Sequence, residues 1–558
     1  MKTVRYSIYS IFLIACLMVS GCEKFLDRTP RSDLSKDGFF GSRKDINLWQ
    51  TGIYVKLQDA MNSGHFVWGD LRSDLYGQTG PSYVDRRTYT NNLDASMGAY
   101  SWQNLYALIA QCNSAIENYP NVTGAGPADY NDPLGQAYGL RALAYFYAIR
   151  VWGEVPKIDQ SWDGIVGSSR IPRSPVSDIK ELIQSDIDQA LVRLNSNVTG
   201  DRKYYFNRAA AYALKTDVHM WFHEYDEALE ASEWFFTDNN LNTFKLISNM
   251  DDYRTIFIEP TSSTETIFTL FWDTTESSGC DWCGILGSKG GTGVSVNNWA
   301  SISRSLFNTF VGRIRSGNGT DARFVANYDT VGIYNLVGTA GNRPPIRETT
   351  HWITTTANSF KNKNIKYSPR PTGNVPTAQN TGWYTVLPLT TAEGSPDGRC
   401  KILAPLYRIA DVYTLRAEAL NKKGRRGEAL QLVNQIRQRV GYTLDANLEQ
   451  KPDNLTLEAM GLDFITTEED WVEWLILEER KLEFIAEGRR WFDLVRSGWV
   501  IDVMDPVYTA RQIELGADIT EATGFGHSGR ILAPIVTREF EANPALIGHQ
   551  NKPYGGSD

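Results

Sequence analysis

At 558 residues with 42% hydrophobic content, the chain can bury a large core and has room for about two to four domains or one extended repeat array. A formal net charge of -9, with no lysine- or arginine-rich run, excludes the phosphate-neutralising surface that nucleic-acid binders need. The 16 Trp and 27 Tyr exceed what core packing asks for, and both residue types offer a flat apolar face with a polar handle.

Lys2 and Arg5 precede an apolar run from about residue 8 to 19, and Ser20 and Gly21 precede Cys22. That order reads as a signal peptide, too short to span a membrane as a mature helix. Its ending, Val19-Ser20-Gly21-Cys22, resembles a bacterial lipobox, in which the cysteine is lipidated and becomes the first mature residue. The alternative is an ordinary signal peptide cut nearby. No later segment has 18 consecutive apolar residues, so the lipid would be the only membrane attachment.

The spacing predicts a helix over 45–61. The stretch after it has no periodicity and carries Trp68, Tyr76, Tyr83 and Tyr89 interleaved with Asp70, Arg72, Asp74 and Asn92. Large aromatics on a loop ask for a ligand or partner, or else plug a gap between helices. Helical spacing returns over 99–119 and 133–152, the latter with alanines at close-packing positions, then over 176–194 and 207–236. The phrase EYDEALEAS at 224–232 resembles the turn and second helix of a tetratricopeptide repeat, and a matching unit spans 405–439. Such hairpins, about 34 residues each, stack into a superhelix because each needs a neighbour to bury its face. Four pairs are expected, at 99–152, 176–236, 405–440 and 470–498.

Between 240 and 404 the style changes to Gly, Thr, Asn and Pro with short β-like runs such as 265–272, and with one helix near 299–311. An irregular insertion of this length is not passive connection, and it holds Trp272, Trp282, Trp299 and Trp352. Cys280 and Cys283 have CxxC spacing without the second pair of a zinc site or the βαβ context of a redox site, which leaves a local disulfide or free thiols.

Catalytic readings fail on spacing. His219 and His223 stand at i, i+4 but lack the glutamate of HExxH, so the expectation there is a polar helix face and no metal. The cluster GSKGGTG at 287–293 misplaces the lysine of a phosphate loop, and the sequence around Ser295 lacks the second glycine of a nucleophile elbow. Acidic pairs such as Asp70 with Asp74 and Glu478 with Glu479 exist, but spacing along the chain cannot set the separation a glycosidase needs.

The most informative stretch is 471–498. Trp471, Trp474, Leu475, Leu482, Ile485 and Ala486 share one face of a helix expected to end near Gly488, and RRWFDLVRS forms a second short helix closed by Gly498. Glu479, Glu483 and Glu487 line another face at i, i+4 steps, an unfavourable stripe unless cations reach it. Arg408, Arg416 and Arg489 are the expected partners by repeat order, in a buried network that locks the last two hairpins.

ERKLEFIAEGRRWFDLVRSG at 479–498 closely resembles the C-terminal signature of the SusD/RagB family of outer-membrane nutrient-binding lipoproteins. The 99–152 block, with Trp102, Tyr106, Asn113, Arg141, Trp152 and Pro156, and the tail around Asn543-Pro544 resemble the same family, although Pro553-Tyr554-Gly555 departs from its usual ending. The fold expected is mainly α, a tetratricopeptide-like helical-hairpin superhelix with a large, irregular, loop-rich insertion carrying short β-strands. Its parts are a signal peptide at 1–21, a lipidated tether at 22–44, a helical part at 45–239 with an aromatic loop at 62–98, a ligand-binding subdomain at 240–404, hairpins at 405–500, and a tail at 501–558 packing on the core. The resemblance implies a non-catalytic, cofactor-free glycan-binding lipoprotein at the outer-membrane surface, partnered with a SusC-like TonB-dependent transporter. Expected ligand contacts are Trp68, Asp74, Tyr83, Tyr89, Asn92, Trp272, Trp282, Trp299 and Trp352. The rival readings are a relative that captures peptides or other nutrients, and a surface glycoside hydrolase.

Overall fold

The structure, a computed structural model, describes residues 39–77, 86–161, 170–248, 252–253, 255–272, 402–441 and 450–555, with pieces of 301–310 and Asp321 and Arg323. The expected signal peptide and Cys22, the pair Cys280 and Cys283, Tyr83, Trp282, Trp299 and Trp352 lie outside the described residues; of the helix expected near 299–311, residues 301–302 form a strand instead, drawn into a ladder with 76–77, and 305–306 and 309–310 are helical. Among the described residues no helix is long and apolar enough to cross a membrane.

Helical periodicity is realised along most of the described chain. Helix α1, Arg43–Phe66, opens with a capping box between Ser42 and Asp45. After it come α2 (Gln103–Asn118), α3 (Pro127–Trp152), α4 (Val176–Arg193), α5 (Arg208–Trp221) and α6 (Tyr225–Glu233). The C-terminal part adds α7 (Ile409–Lys422), α8 (Arg426–Arg439), α9 (Glu468–Glu483), α10 (Arg490–Ser497) and α11 (Val500–Glu514). From α1 to α9 each helix packs on the next, a mainly α architecture compatible with the repeat-like array. Close packing is written in small residues. Ala137, Ala142, Ala144 and Ala148 on α3 are fully buried, and a Cβ on Gly139 would come within 1.9 Å of the Phe206 ring.

Among the described residues six short strands make three antiparallel pairs: β1 (Tyr76–Gly77) with β5 (Ser301–Ile302), β2 (Val155–Pro156) with β3 (Arg173–Ser174), and β4 (Thr266–Trp272) with β6 (Ile402–Arg408). In the third pair Thr266 lies opposite Arg408 and Trp272 opposite Ile402, so the chain leaves toward residue 273 and returns from 401 at one place. Helices α6 and α7, on either side of the insertion, also touch. The helical stack therefore continues across it.

The 471–498 stretch forms the expected elbow, with one displacement. Helix α9 ends at Glu483, five residues short of Gly488, because Ala486 (φ 65) and Gly488 (φ 67) turn into the left-handed region and Arg408 Nη2 donates to the Glu483 carbonyl (2.9 Å). The turn is shaped by the end of α1. That helix continues as a π turn, Val67–Leu71, whose Asp70 carboxylate accepts the backbone N–H groups of Gly488 (3.0 Å), Arg489 (2.9 Å) and Arg490 (3.1 Å). Only glycine permits this approach: a Cβ on Gly69 would stand 1.9 Å from the Gly488 carbonyl oxygen, and one on Gly488 would stand 2.7 Å from the His65 ring. Burial pushes the Asp70 carboxyl up to about 7 against those three donors.

The glutamate stripe is fully buried and fully paired. Arg408 makes a two-pronged bond to Glu487 (2.8 and 2.9 Å) and also reaches Glu483 (2.7 Å) and Glu265 (3.0 Å). Glu483 further pairs with Arg439 and with Arg323 (3.0 Å), and Glu479 with Arg437 (2.9 Å) and Arg323 (2.6 Å). Of the three expected partners only Arg408 serves. Arg416 turns the other way, to Glu233 and the Leu229 carbonyl, and Arg489 pairs with Asp411 (2.9 Å) and Asp217 (3.5 Å). Repeat order gave the neighbouring helices; it did not give the face of each helix that meets the stripe. On α10, Arg490 bonds Asp74 (2.8 Å) and Glu478 (3.0 Å), and Lys481 on α9 adds a third charge at Asp74 (2.8 Å).

Two outcomes follow from buried charges whose partners are fixed. Burial disfavours the Glu483 charge, yet Arg439, Arg408 and Arg323 hold its carboxyl well below the usual range. Glu483→Ala strands those cations and lowers unfolding stability by about 3–5 kcal/mol in urea titration; an unchanged midpoint contradicts the network. Burial likewise opposes the Asp74 charge, but Arg490 and Lys481 hold its carboxyl well below the ordinary value. A carboxyl depressed in the folded state stabilises above its unfolded pKa, about 3.9, and loses that contribution as pH falls below it. Asp74→Asn is therefore less stable than the unsubstituted chain at pH 7, and the gap narrows at pH 3. A gap equal at both pH values contradicts the assignment.

Candidate functional site

The expected aromatic loop divides into a buried frame and an outward rim. Trp68 is 2% exposed: its indole lies across Gly64, its Nε1 donates to the Ala99 carbonyl (2.9 Å), and its ring meets Trp152 edge-on at 5.1 Å. Trp272 is 1% exposed at the end of β4. Asp74 is enclosed with Arg490 and Lys481, and Tyr89 is buried beneath Arg511, whose guanidinium sits 4.3 Å over its ring, with its hydroxyl donating to Glu514 (3.2 Å). These four are corrections to the ligand-contact expectation: each side chain holds the frame together. Asn92 is the expected contact among the described residues that is exposed.

The frame grips both ends of the 78–85 stretch that carries Tyr83. Arg511 on α11 donates from Nη2 to the Ser73 and Tyr76 carbonyls (2.7 Å each), on the near side, and from Nη1 to the Tyr89 carbonyl (3.1 Å), on the far side. Tyr508, one turn earlier, donates to the Arg72 carbonyl (2.7 Å). Arg72 in turn stacks 3.9 Å over the Trp491 ring and donates to the Asn91 side chain (2.7 Å), next to the exposed Asn92. Sequence reading left out Arg511, although Val500, Met504, Tyr508 and Arg511 recur at helical spacing and are all buried.

A second stretch with expected ligand tryptophans is rooted at the same place. In the β1–β5 ladder Gly77 lies opposite Ser301 and Tyr76 opposite Ile302. Ser303 reinforces the pairing, its N–H donating to the Leu75 carbonyl (2.8 Å) and its hydroxyl to the Asp74 carbonyl (2.6 Å). The chain thus enters 78–85, with Tyr83, and leaves 273–300, with Trp282 and Trp299, at neighbouring residues of one ladder.

The acidic pairs considered for glycoside hydrolysis are held inside this frame. Asp70 receives three backbone N–H groups, Asp74 lies between Arg490 and Lys481, Glu478 pairs with both of those cations, and Glu479 is enclosed by Arg437 and Arg323. Among the described residues no cluster of three or more His, Cys, Asp or Glu side chains could hold a metal ion. His219 and His223 diverge. His219 is buried on α5 against Glu224 (2.8 Å), rather than on a polar face, and His223 lies beyond the helix end at φ 58 with Nε2 at the Arg496 carbonyl (3.0 Å).

Comparison with known proteins agrees with this frame. Residues 311–554 match the model of the SusD family, and residues 24–219 match a model described as starch-binding associating with outer membrane. SusD-like protein P38 of Formosa agariphila is 29% identical over 99% of this chain and 100% of its own length, and SusD-like protein P25 of the same organism is 22% identical over 98% of each. Among solved structures, a laminarin binding SusD-like protein superposes with a TM-score of 0.62 at 19% identity, covering 92% of this chain and 100% of its own. B. fragilis NanU gives 0.62 at 20%, covering 95% and 100%, and a SusD superfamily protein of Bacteroides thetaiotaomicron gives 0.63 at 21%, covering 90% and 98%. The chain therefore belongs to the SusD-like family.

Proposed function

We propose that this chain is a non-catalytic glycan-binding protein of the outer-membrane surface, anchored by a lipid on Cys22. In this reading it captures oligosaccharide or polysaccharide and passes it to a SusC-like TonB-dependent transporter. The observation that carries the binding part is the β1–β5 ladder, which roots two aromatic-bearing stretches at adjacent residues on a frame clamped by Arg511. Pyranose rings present C–H patches that lie against Trp and Tyr faces while amides bond their hydroxyls, and each such contact is weak enough that several must converge. The ligand contacts retained are Asn92, Tyr83, Trp282, Trp299 and Trp352. The 240–404 insertion is the ligand-binding subdomain, flanked by the helical parts 45–239 and 405–500, with 501–558 packing on the core. The family description as starch-binding and the laminarin-binding neighbour support glycan as the ligand class.

The test is a glycan array followed by calorimetry on the lipid-free chain from residue 23 onward. An oligosaccharide is bound without release of shorter products, and Tyr83→Ala with Trp299→Ala weakens it about tenfold or more at unchanged Tm. Binding to a peptide library with no array signal, or hydrolysis of the bound oligosaccharide, overturns the reading.

A further inference from the structure

A separate set of aromatic side chains lines a groove beside α1. Along α1, Asn47, Thr51, Tyr54, Val55 and Gln58 share a face distinct from the one that buries Ile53, Leu57 and Met61. This face forms one wall of an open groove of about 520 Å³, within the size range of small-molecule sites. The other walls are the start of α3 (Asp132, Gln136), the turn at Arg202–Tyr205 and the end of β4 (Leu270, Phe271).

Of the eleven large hydrophobic side chains exposed among the described residues, only Tyr205 (43%) and Phe271 (40%) are aromatic, and both line this groove. Their rings are seated, not loose. Tyr205 meets Tyr54 edge-on at 5.2 Å, Phe271 meets Tyr204 at 5.7 Å, and Gln58 Nε2 donates to the Phe271 carbonyl (2.5 Å). Beneath them runs a fixed polar floor. Tyr54 donates to Gln136 Oε1 (2.7 Å) and accepts from the Phe206 N–H (2.8 Å), Gln136 donates to Asp132 (2.8 Å), and Asp132 pairs with Arg202 (3.1 Å). Exposed rings beside amides, over a floor whose charges cancel, match a ligand with apolar faces and hydroxyl edges; a lipid tail asks for a continuous apolar wall.

We infer that this groove is a separate carbohydrate site that takes a short neutral oligosaccharide, whose ring faces lie on Tyr205 and Phe271 and whose hydroxyl edges meet the polar side chains Asn47, Thr51 and Gln58 of the α1 wall. It rests on glycan being the ligand class, but not on the rim.

The test probes a glycan array of neutral plant, algal and microbial oligosaccharides with three forms of the chain: unsubstituted, Tyr205→Ala with Phe271→Ala, and Tyr83→Ala with Trp299→Ala. The groove variant stays folded by circular dichroism, and it loses signals that the rim variant retains, with calorimetric affinity for those oligosaccharides falling about tenfold or more. Tyr205→Phe keeps the flat face and retains binding, whereas Tyr205→Leu does not. Array profiles identical for the groove variant and the unsubstituted chain overturn the groove site alone, leaving the rim reading intact. Absence of any oligosaccharide signal from the unsubstituted chain overturns both.

Discussion

The rest of the structure depends on a buried lattice of paired charges around the turn between α9 and α10. Each charged side chain on the stretch from Glu478 to Arg496 that faces inward meets a partner from another element: Arg480 with Asp411, Glu483 and Glu487 with Arg408, Arg490 with Asp74, Arg496 with Glu418. An apolar core of equal volume can match such pairs in stability, but removing one partner leaves an uncompensated charge in a low-dielectric interior. The lattice therefore specifies one register for the elements that feed it. It also accounts for the residue pattern of the family signature: the charges are there for their partners, and Gly488 is there because His65 and Gly69 press against it.

What the lattice fixes is the course of the chain into β1. Asp70 clasps the Gly488 turn and Asp74, four residues on, closes on Arg490, so the chain emerges at β1 with its direction set. Arg511 and Tyr508 then hold the carbonyls on both sides of the 78–85 stretch. Residues on α10 and α11 thereby hold a segment more than 400 positions earlier in the chain.

The helical frame was legible in the sequence because 3.6-residue periodicity survives wherever one helix face is buried, as on α2, α4 and α9. What failed was local chemistry decided by distant parts of the chain. The helix over 45–61 continues to Phe66 and on through the π turn, which carries Trp68 round to the buried side; a stretch that reads as an aperiodic aromatic loop is in part a helix end. The end of α9 came five residues early because the residues that bend the chain there, His65 and Gly69, lie some 400 positions away. Strands of two residues such as β1 and β5 carry no alternation to detect. Arg408 was foreseen as a partner of the glutamate stripe, while Arg437 and Arg439 were not, since repeat order names neighbouring helices but leaves their rotation open. Tyr204 and Tyr205 escaped notice for a related reason: a tyrosine pair in a turn looks like core until the exposed ring is seen beside Phe271.

The central claim is that the α9–α10 elbow and the 65–77 segment are energetically one unit. A double-mutant cycle in urea unfolding at pH 7, using Asp74→Ala, Arg490→Ala and both together, measures it most directly. The account predicts that the two losses are strongly non-additive, with a coupling of about 2 kcal/mol or more. Additive losses would contradict it: Asp74 and Arg490 would then be neighbours without being partners, and the elbow would not set the course of the chain into β1.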